Sequence, residues 1–497
     1  MRASGILMPI FSLPSRYGIG SFSKSAYQFV DMLKKAGQKY WQILPLCPTS
    51  YGDSPYQSFS TYAGNPYFID LDQLIEEKLL TRKECQACDF GDDPQDIDYG
   101  KLYENRFKLL RKAYERANVG EDQEFEAYRR ENAWWLDDYA LFMAVKDQFD
   151  GVAWNEWAED IRLRWSNAMD YYRRELYYEI EFYSYLQFVF MKQWKKLKNY
   201  ANINGIEIIG DIPIYVAFDS ADAWANPELF QFDAENLPTA VAGCPPDGFS
   251  ADGQLWGNPL YRWDYHRETG FDWWIRRIAY CSELYDVVRI DHFRGFDEYY
   301  SIPYGDTTAR NGHWEKGPGI ALFEAAKNRL GELNIIAEDL GYITDSVKKL
   351  VADSGFPGMK VLEFAFDSRE KSDYLPYTYE KNSVVYTGTH DNETIAGWYA
   401  GLDKSDLKMC TDYMNSDRIP GKEYHWDFIR LAMLSVSDLC VIPIQDYLGL
   451  DNRARINHPS TLGTNWRWRL AKGQLSASLL KEIREMTRIS GRLQNGE

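Results

Sequence analysis

Continuous runs of apolar residues, many of them β-branched, recur along the chain. The first four are 5–11 (GILMPIF), 39–46 (KYWQILPL), 206–214 (IEIIGDIPI) and 286–290 (DVVRI). The second four are 334–340 (NIIAEDL), 359–366 (MKVLEFAF), 383–389 (SVVYTGT) and 440–446 (CVIPIQD). Unbroken apolar runs, without hydrophobic/polar alternation, are the mark of parallel strands covered on both faces.

Helical periodicity fills most of the intervals, at 25–37, 271–284, 319–331, 345–355 and 423–438. Eight strands alternating with helices predict an α/β fold, a (β/α)8 TIM barrel with right-handed crossovers. A doubly wound open sheet is the alternative that this pattern leaves standing.

Two intervals exceed a simple crossover. About 160 residues separate the second and third runs and are mostly charged and helical. This predicts a helical subdomain over 72–173, inserted after strand 2, with a long helix at 174–205 returning to the barrel. The second interval, 215–273, is rich in Gly, Pro, Asp and aromatics and reads as a loop-rich insertion after strand 3. The whole of 1–497 is expected to be one catalytic barrel with these insertions. Only a helical pattern follows the eighth run.

Composition narrows the function. Net charge is −18, from 56 Lys and Arg against 74 Asp and Glu, which argues against nucleic acid or an anionic membrane as partner. No apolar run approaches the roughly 20 residues that span a bilayer, and Pro9 and Pro14 interrupt the N-terminal one. Seven Cys are scattered, and the CxxC at Cys85 and Cys88 lacks a second pair, so reduced thiols and a cytoplasmic location are expected. With 36 Tyr and 17 Trp the chain has rings enough for a large core and for stacking on sugars.

Chemistry in a barrel sits at the C-terminal strand ends. There the sequence places Asp211 (strand 3), Asp291 (strand 4), Glu338 (strand 5) and Asp391 (after strand 7). Clustered carboxylates either hold a divalent metal or cleave a glycosidic bond, one acid ionised and the other protonated. Strand alternation puts Arg289 on the face of Asp291, where a cation favours the ionised carboxylate and disfavours a metal. A barrel-closing salt bridge is the structural alternative for that pair. His292 and His390 read either as core histidines or as donors to sugar hydroxyls.

Several motifs carry a resemblance. They are 52–71 (GDSPYQSFSTYAGNPYFIDL), 210–216 (GDIPIYV), 243–261 (GCPPDGFSADGQLWGNPLY), 289–296 (RIDHFRGF), 337–341 (AEDLG), 388–392 (GTHDN) and 457–469 (NHPSTLGTNWRWR). In this order and over nearly the whole chain, the sequence resembles the 4-α-glucanotransferases known as amylomaltases or disproportionating enzymes, of the α-amylase-like superfamily. The resemblance implies transfer of α-1,4-glucan segments to the 4-hydroxyl of a glucan or glucose by retaining double displacement. It also implies the absence of a separate C-terminal β-domain, which fits the helical pattern after the eighth run. Substrates would be α-1,4-glucans, maltooligosaccharides and glucose, with no metal and no organic cofactor.

Residue by residue, it implies Asp291 as nucleophile, Glu338 as general acid/base and Asp391 as the third carboxylate on the −1 sugar. Arg289, His292, His390 and Asp211 would line the −1 subsite. Ser54, Tyr56, Trp256 and Asn465 would be further glucan contacts, with Tyr51 in an outer groove and the loop around 243–257 as a mobile cover. The family usually has Gly where Ser460 stands. The rivals are a plain α-glucan hydrolase or debranching enzyme, a non-catalytic glucan-binding protein and a divalent-metal hydrolase.

Overall fold

The eight apolar runs form the eight parallel strands of one closed barrel. They are β1 (Ala3–Leu7), β2 (Tyr40–Gln42), β3 (Glu207–Pro213), β4 (Val287–Asp291), β5 (Ile335–Ala337), β6 (Gly358–Val361), β7 (Ser383–Tyr386) and β8 (Leu439–Pro443). Their order round the barrel is their order in the chain, and β1 pairs with both β2 and β8 to close it. This computed structural model describes residues 2–50, 52–246, 250–341, 343–416 and 423–493.

Several strands stop earlier than the apolar runs that announce them. The first turns at Pro9 into a 3₁₀ turn, Ile10–Ser12, and the last passes at Pro443 into the short helix Ile444–Tyr447. Proline has no N–H to give a strand ladder, so pairing ends there although the side chains remain apolar.

Alternation along the strands divides the core. Leu7, Ile209, Ile336, Met359, Val361, Val384, Tyr386 and Val441 form a cluster contributed by strands alone, inside the barrel. Val288 and Ile290 point the other way, into the layer shared with the surrounding helices. Arg289, between them, therefore points inward and is only 3% exposed. At Gly210 the strand passes so close to the Tyr285 ring that an added Cβ would run into it, and this fixes β3 against β4 next to Asp211.

Between β2 and β3 the helices include Tyr99–Ala117, Gln123–Gln148 and Ser166–Glu175, and Tyr177–Ile203 leads back to the barrel. The single helix expected at 174–205 is broken at Leu176, whose backbone leaves the helical region (φ −103°, ψ 23°). The expectation for 215–273 needs a larger correction. This segment supplies strands Ala240–Cys244 and Gln254–Pro259 to a four-stranded antiparallel sheet, completed by Glu298–Pro303 and His313–Lys316 from the connection after β4. Each half is a local antiparallel pair without enough apolar alternation to announce itself, and the two halves join through Ala240–Cys244 and Glu298–Pro303.

Among the described residues after β8 there is no strand, only the short helix Ile444–Tyr447, turns and the helix Ala477–Ile489. No described helix is long and apolar enough to cross a membrane.

Candidate active site

The C-terminal ends of β3, β4, β5 and β7 bring the four expected acids to one end of the barrel. Asp211 and Arg289 are in-register neighbours on β3 and β4. Nη1 of Arg289 donates to both oxygens of Asp211, at 2.7 and 2.6 Å. Nη2 lies 3.0 Å from Oδ1 of Asp291, and Nε points to the Met359 sulfur at 3.4 Å. The guanidinium is thus held in one plane by two carboxylates and a thioether. Burial works against its charge, but Asp211 and Asp291 outweigh burial and lift its pKa well above the ordinary value.

Asp211 is wholly buried, and Tyr56 donates its hydroxyl to Oδ2 at 2.8 Å. Its oxygens are therefore occupied by protein. The Tyr56 ring stacks on His390 at 5.1 Å and 13°, joining the loop after β2 to the loop after β7.

Asp291 keeps 28% of its side chain open, at the bottom of the pocket between Arg289 and Glu338. Burial pushes its carboxyl upward, Arg289 opposes, and repulsion from Glu338 adds to the rise. This corrects the simple expectation of a cation holding Asp291 low. Arg289 is shared with Asp211, and burial wins. Glu338 is also raised, first by burial, although it accepts two backbone N–H bonds, from His292 at 2.6 Å and Leu340 at 2.9 Å. Burial thus favours the neutral form of both acids.

The turn after β4 makes the first of those bonds possible. His292 sits in the left-handed region (φ 54°, ψ 48°), which aims its N–H at Glu338. Its imidazole is walled by Trp256 at 4.9 Å, edge to face, and burial lowers its pKa to about 3. His292 is therefore neutral near pH 7, and its buried Nε2 has no hydrogen-bond partner. Trp256 comes from the strand Gln254–Pro259, so the outer sheet exists in part to deliver this wall.

Asp391 is the most open of the acids, with 45% of its side chain exposed. Asn457 donates to its Oδ1 at 2.6 Å, and Arg455 donates to its backbone carbonyl at 2.8 Å. His390 lies beside it at 3.4 Å, its imidazole held neutral by burial. Among the described residues no group of three or more His, Cys, Asp or Glu is arranged to hold a metal ion.

Comparison with known proteins gives this geometry a family. The family model described as 4-alpha-glucanotransferase matches residues 8–475. The chain belongs to the 4-alpha-glucanotransferase family. It is 49% identical to a 4-alpha-glucanotransferase of Clostridium butyricum, over 98% of this chain and 100% of that one. It is 50% identical to one of Streptococcus pneumoniae serotype 4, over 99% of this chain and 98% of the relative. The solved amylomaltase of Streptococcus agalactiae, in complex with acarbose, superposes with a TM-score of 0.96 at 44% identity, covering 99% of this chain and 100% of that chain.

Within this family frame, the other expected contacts fall into place unevenly. Ser54 accepts the Tyr56 N–H at 3.2 Å and so shapes the loop that presents Tyr56. Asn465 is spent on its own turn: it accepts from the His458 N–H at 2.9 Å and donates to the Thr461 carbonyl at 2.9 Å. Ser460, in the same turn, has a φ of 65°, the conformation for which Gly is favoured. Tyr51 lies outside the described residues, as does 247–249 of the expected cover. The residues missed from sequence were Asn457 and Arg455, whose only signal was their place in and beside the motif NHPSTLGTNW.

Proposed function

We infer that this protein is a 4-alpha-glucanotransferase working by retaining double displacement, with Asp291 as nucleophile and Glu338 as acid/base. One observation carries the assignment of roles: of the two acids, only Asp291 touches a guanidinium, Nη2 of Arg289 at 3.0 Å. A cation in contact favours the ionised form that a nucleophile needs, and Glu338 is then the acid that carries the proton.

In the first step the Asp291 carboxylate attacks the anomeric carbon while Glu338 gives its proton to the glycosidic oxygen. The C1–O bond breaks, the departing sugar leaves with a free 4-hydroxyl, and a glucosyl ester remains on Asp291. Glu338 is now ionised and takes the proton of an incoming 4-hydroxyl, whose oxygen displaces Asp291. A carboxyl separation of about 5–5.5 Å belongs to this geometry. Asp391, with His390 and the neutral His292, lines the −1 sugar, and Tyr56 and Trp256 supply ring faces. Asp211 supports the subsite by holding Arg289.

Substrates in this reading are α-1,4-glucans, maltooligosaccharides and glucose. Seven free cysteines and the acidic balance support a cytoplasmic location. Incubation with maltotriose tests the function. A transferase yields glucose and a ladder of longer oligosaccharides, whereas a hydrolase yields only shorter sugars.

A further inference from the structure

A second aromatic cleft lies away from the four acids, where the inserted helix Gln123–Gln148 meets the helix Asp272–Leu284 and the loop after β2. Tyr62 is its hub. Its ring contacts Trp134 at 4.8 Å, Trp135 at 6.2 Å and Trp273 at 6.4 Å. Trp135 and Trp273 are buried, but Trp134 is 44% exposed at the rim, and its indole N–H has no partner among the described residues. Tyr62 is only 6% exposed, yet its hydroxyl has no hydrogen-bond partner either.

Two charged groups flank the exposed indole. Asp138, one helical turn after Trp134, accepts from Nη2 of Arg164 through Oδ1 at 2.7 Å and leaves Oδ2 unpartnered among the described residues. Arg276 pairs through Nε with Asp272 at 3.0 Å and sits 5.8 Å from the Trp134 ring. Its terminal nitrogens remain unpartnered among the described residues. One carboxylate and one guanidinium leave the rim without a bias toward anions or cations. An apolar ring face between planar hydrogen-bonding groups suits a neutral ligand with an apolar face and an edge of hydroxyls, which describes a pyranose ring.

We propose that the cleft around Trp134, Tyr62, Asp138 and Arg276 is a non-catalytic α-glucan binding site that anchors long chains outside the active site. The ligand class rests on the transferase reading above. A sugar stacks on the exposed indole, its hydroxyls take the free Asp138 oxygen and the Arg276 nitrogens, and a longer glucan stays tethered between transfers. Tethering raises the local concentration of chain ends without altering the chemistry.

Hydroxyl-radical footprinting of the unmodified protein with and without maltoheptaose reads both sites at once. Saturating maltoheptaose should cut Trp134 oxidation at least fivefold, and Trp256 should report the active site. Trp256 protected with Trp134 unchanged would overturn the anchoring site and leave the transferase reading intact. Failure of the transferase reading would instead show as no ladder from maltotriose. A second measurement uses Trp134→Ala, which should weaken retardation in glycogen-containing native gels about tenfold, with maltotriose turnover within twofold of the parent. Trp134→Phe should recover most of the retardation, since the ring is kept. Retardation of Trp134→Ala equal to the parent's would also overturn the proposal.

Discussion

Arg289 and Asp211 are lateral neighbours on adjacent barrel strands, and one guanidinium nitrogen lies within 2.7 Å of both Asp211 oxygens. A buried charge stripped of its partner is costly, about 3–5 kcal/mol. Asp211→Ala should therefore lower stability by that order, measured by urea unfolding, and abolish transfer as well. A variant of near-parental stability would mean that Arg289 finds other compensation.

The roles of the acids separate by substitution. Asp291→Asn should reduce maltotriose disproportionation by well over a thousandfold with the melting temperature little changed. His292→Gln should lower the rate but leave both limbs of the pH profile of kcat/KM where they are, because His292 stays neutral down to about pH 3. Movement of either limb would transfer part of the titration from the Asp291–Glu338 pair to the imidazole.

Asn457 orients Asp391 through one 2.6 Å hydrogen bond. Misplacement of a reacting group by about 1 Å can cost a hundredfold. Asn457→Ala should accordingly reduce kcat by about 10- to 100-fold with little change in thermal stability. An unaltered kcat would show that Arg455 and the backbone suffice.

Much of this was legible in sequence, and the limits have a physical pattern. The barrel strands were visible because residues such as Val287, Val288 and Ile290 must be apolar on both faces. The acids were visible because charge at the end of such a run demands a use. The outer sheet was not, since Gln254–Pro259 and His313–Lys316 lie partly open to solvent and lack a continuous apolar run. Nor were the donors to Glu338, because backbone N–H groups leave no mark in a sequence. The Asn465 side chain points to a related limit: a motif names a residue but not which way it turns.

Asp446 offers a pH test. It is buried behind the loop that carries Asp391, accepting from Thr387 at 2.5 Å and from the Ile395 N–H at 2.8 Å, and burial raises its carboxyl from 3.8 to about 6. A raised acid keeps its proton in the folded state, so its contribution is full below pH 3.8 and is lost as pH rises to about 6, flat above that. The change amounts to about 3 kcal/mol. Melting temperatures at pH 4 and 7 should differ less in Asp446→Asn than in the parent. Equal differences would mean that Asp446 is ionised throughout.

Gly210 tests the seam between β3 and β4. Gly210→Ala would press a methyl group into the Tyr285 ring. Overpacking of this kind costs about 1–3 kcal/mol, and the shift should also disturb Asp211 next door. Thermal unfolding unchanged from the parent would show that Tyr285 can swing aside.

The left-handed turn at His292 joins Asp291 and Glu338 by a single peptide unit, since the residue after Asp291 gives its N–H to Glu338. The spacing between the proposed nucleophile and the proposed acid is thereby written into main chain rather than into any side chain. Position 292 is consequently divisible: its imidazole can be exchanged to retune what the sugar meets, while the ruler that sets the chemistry stays the same length.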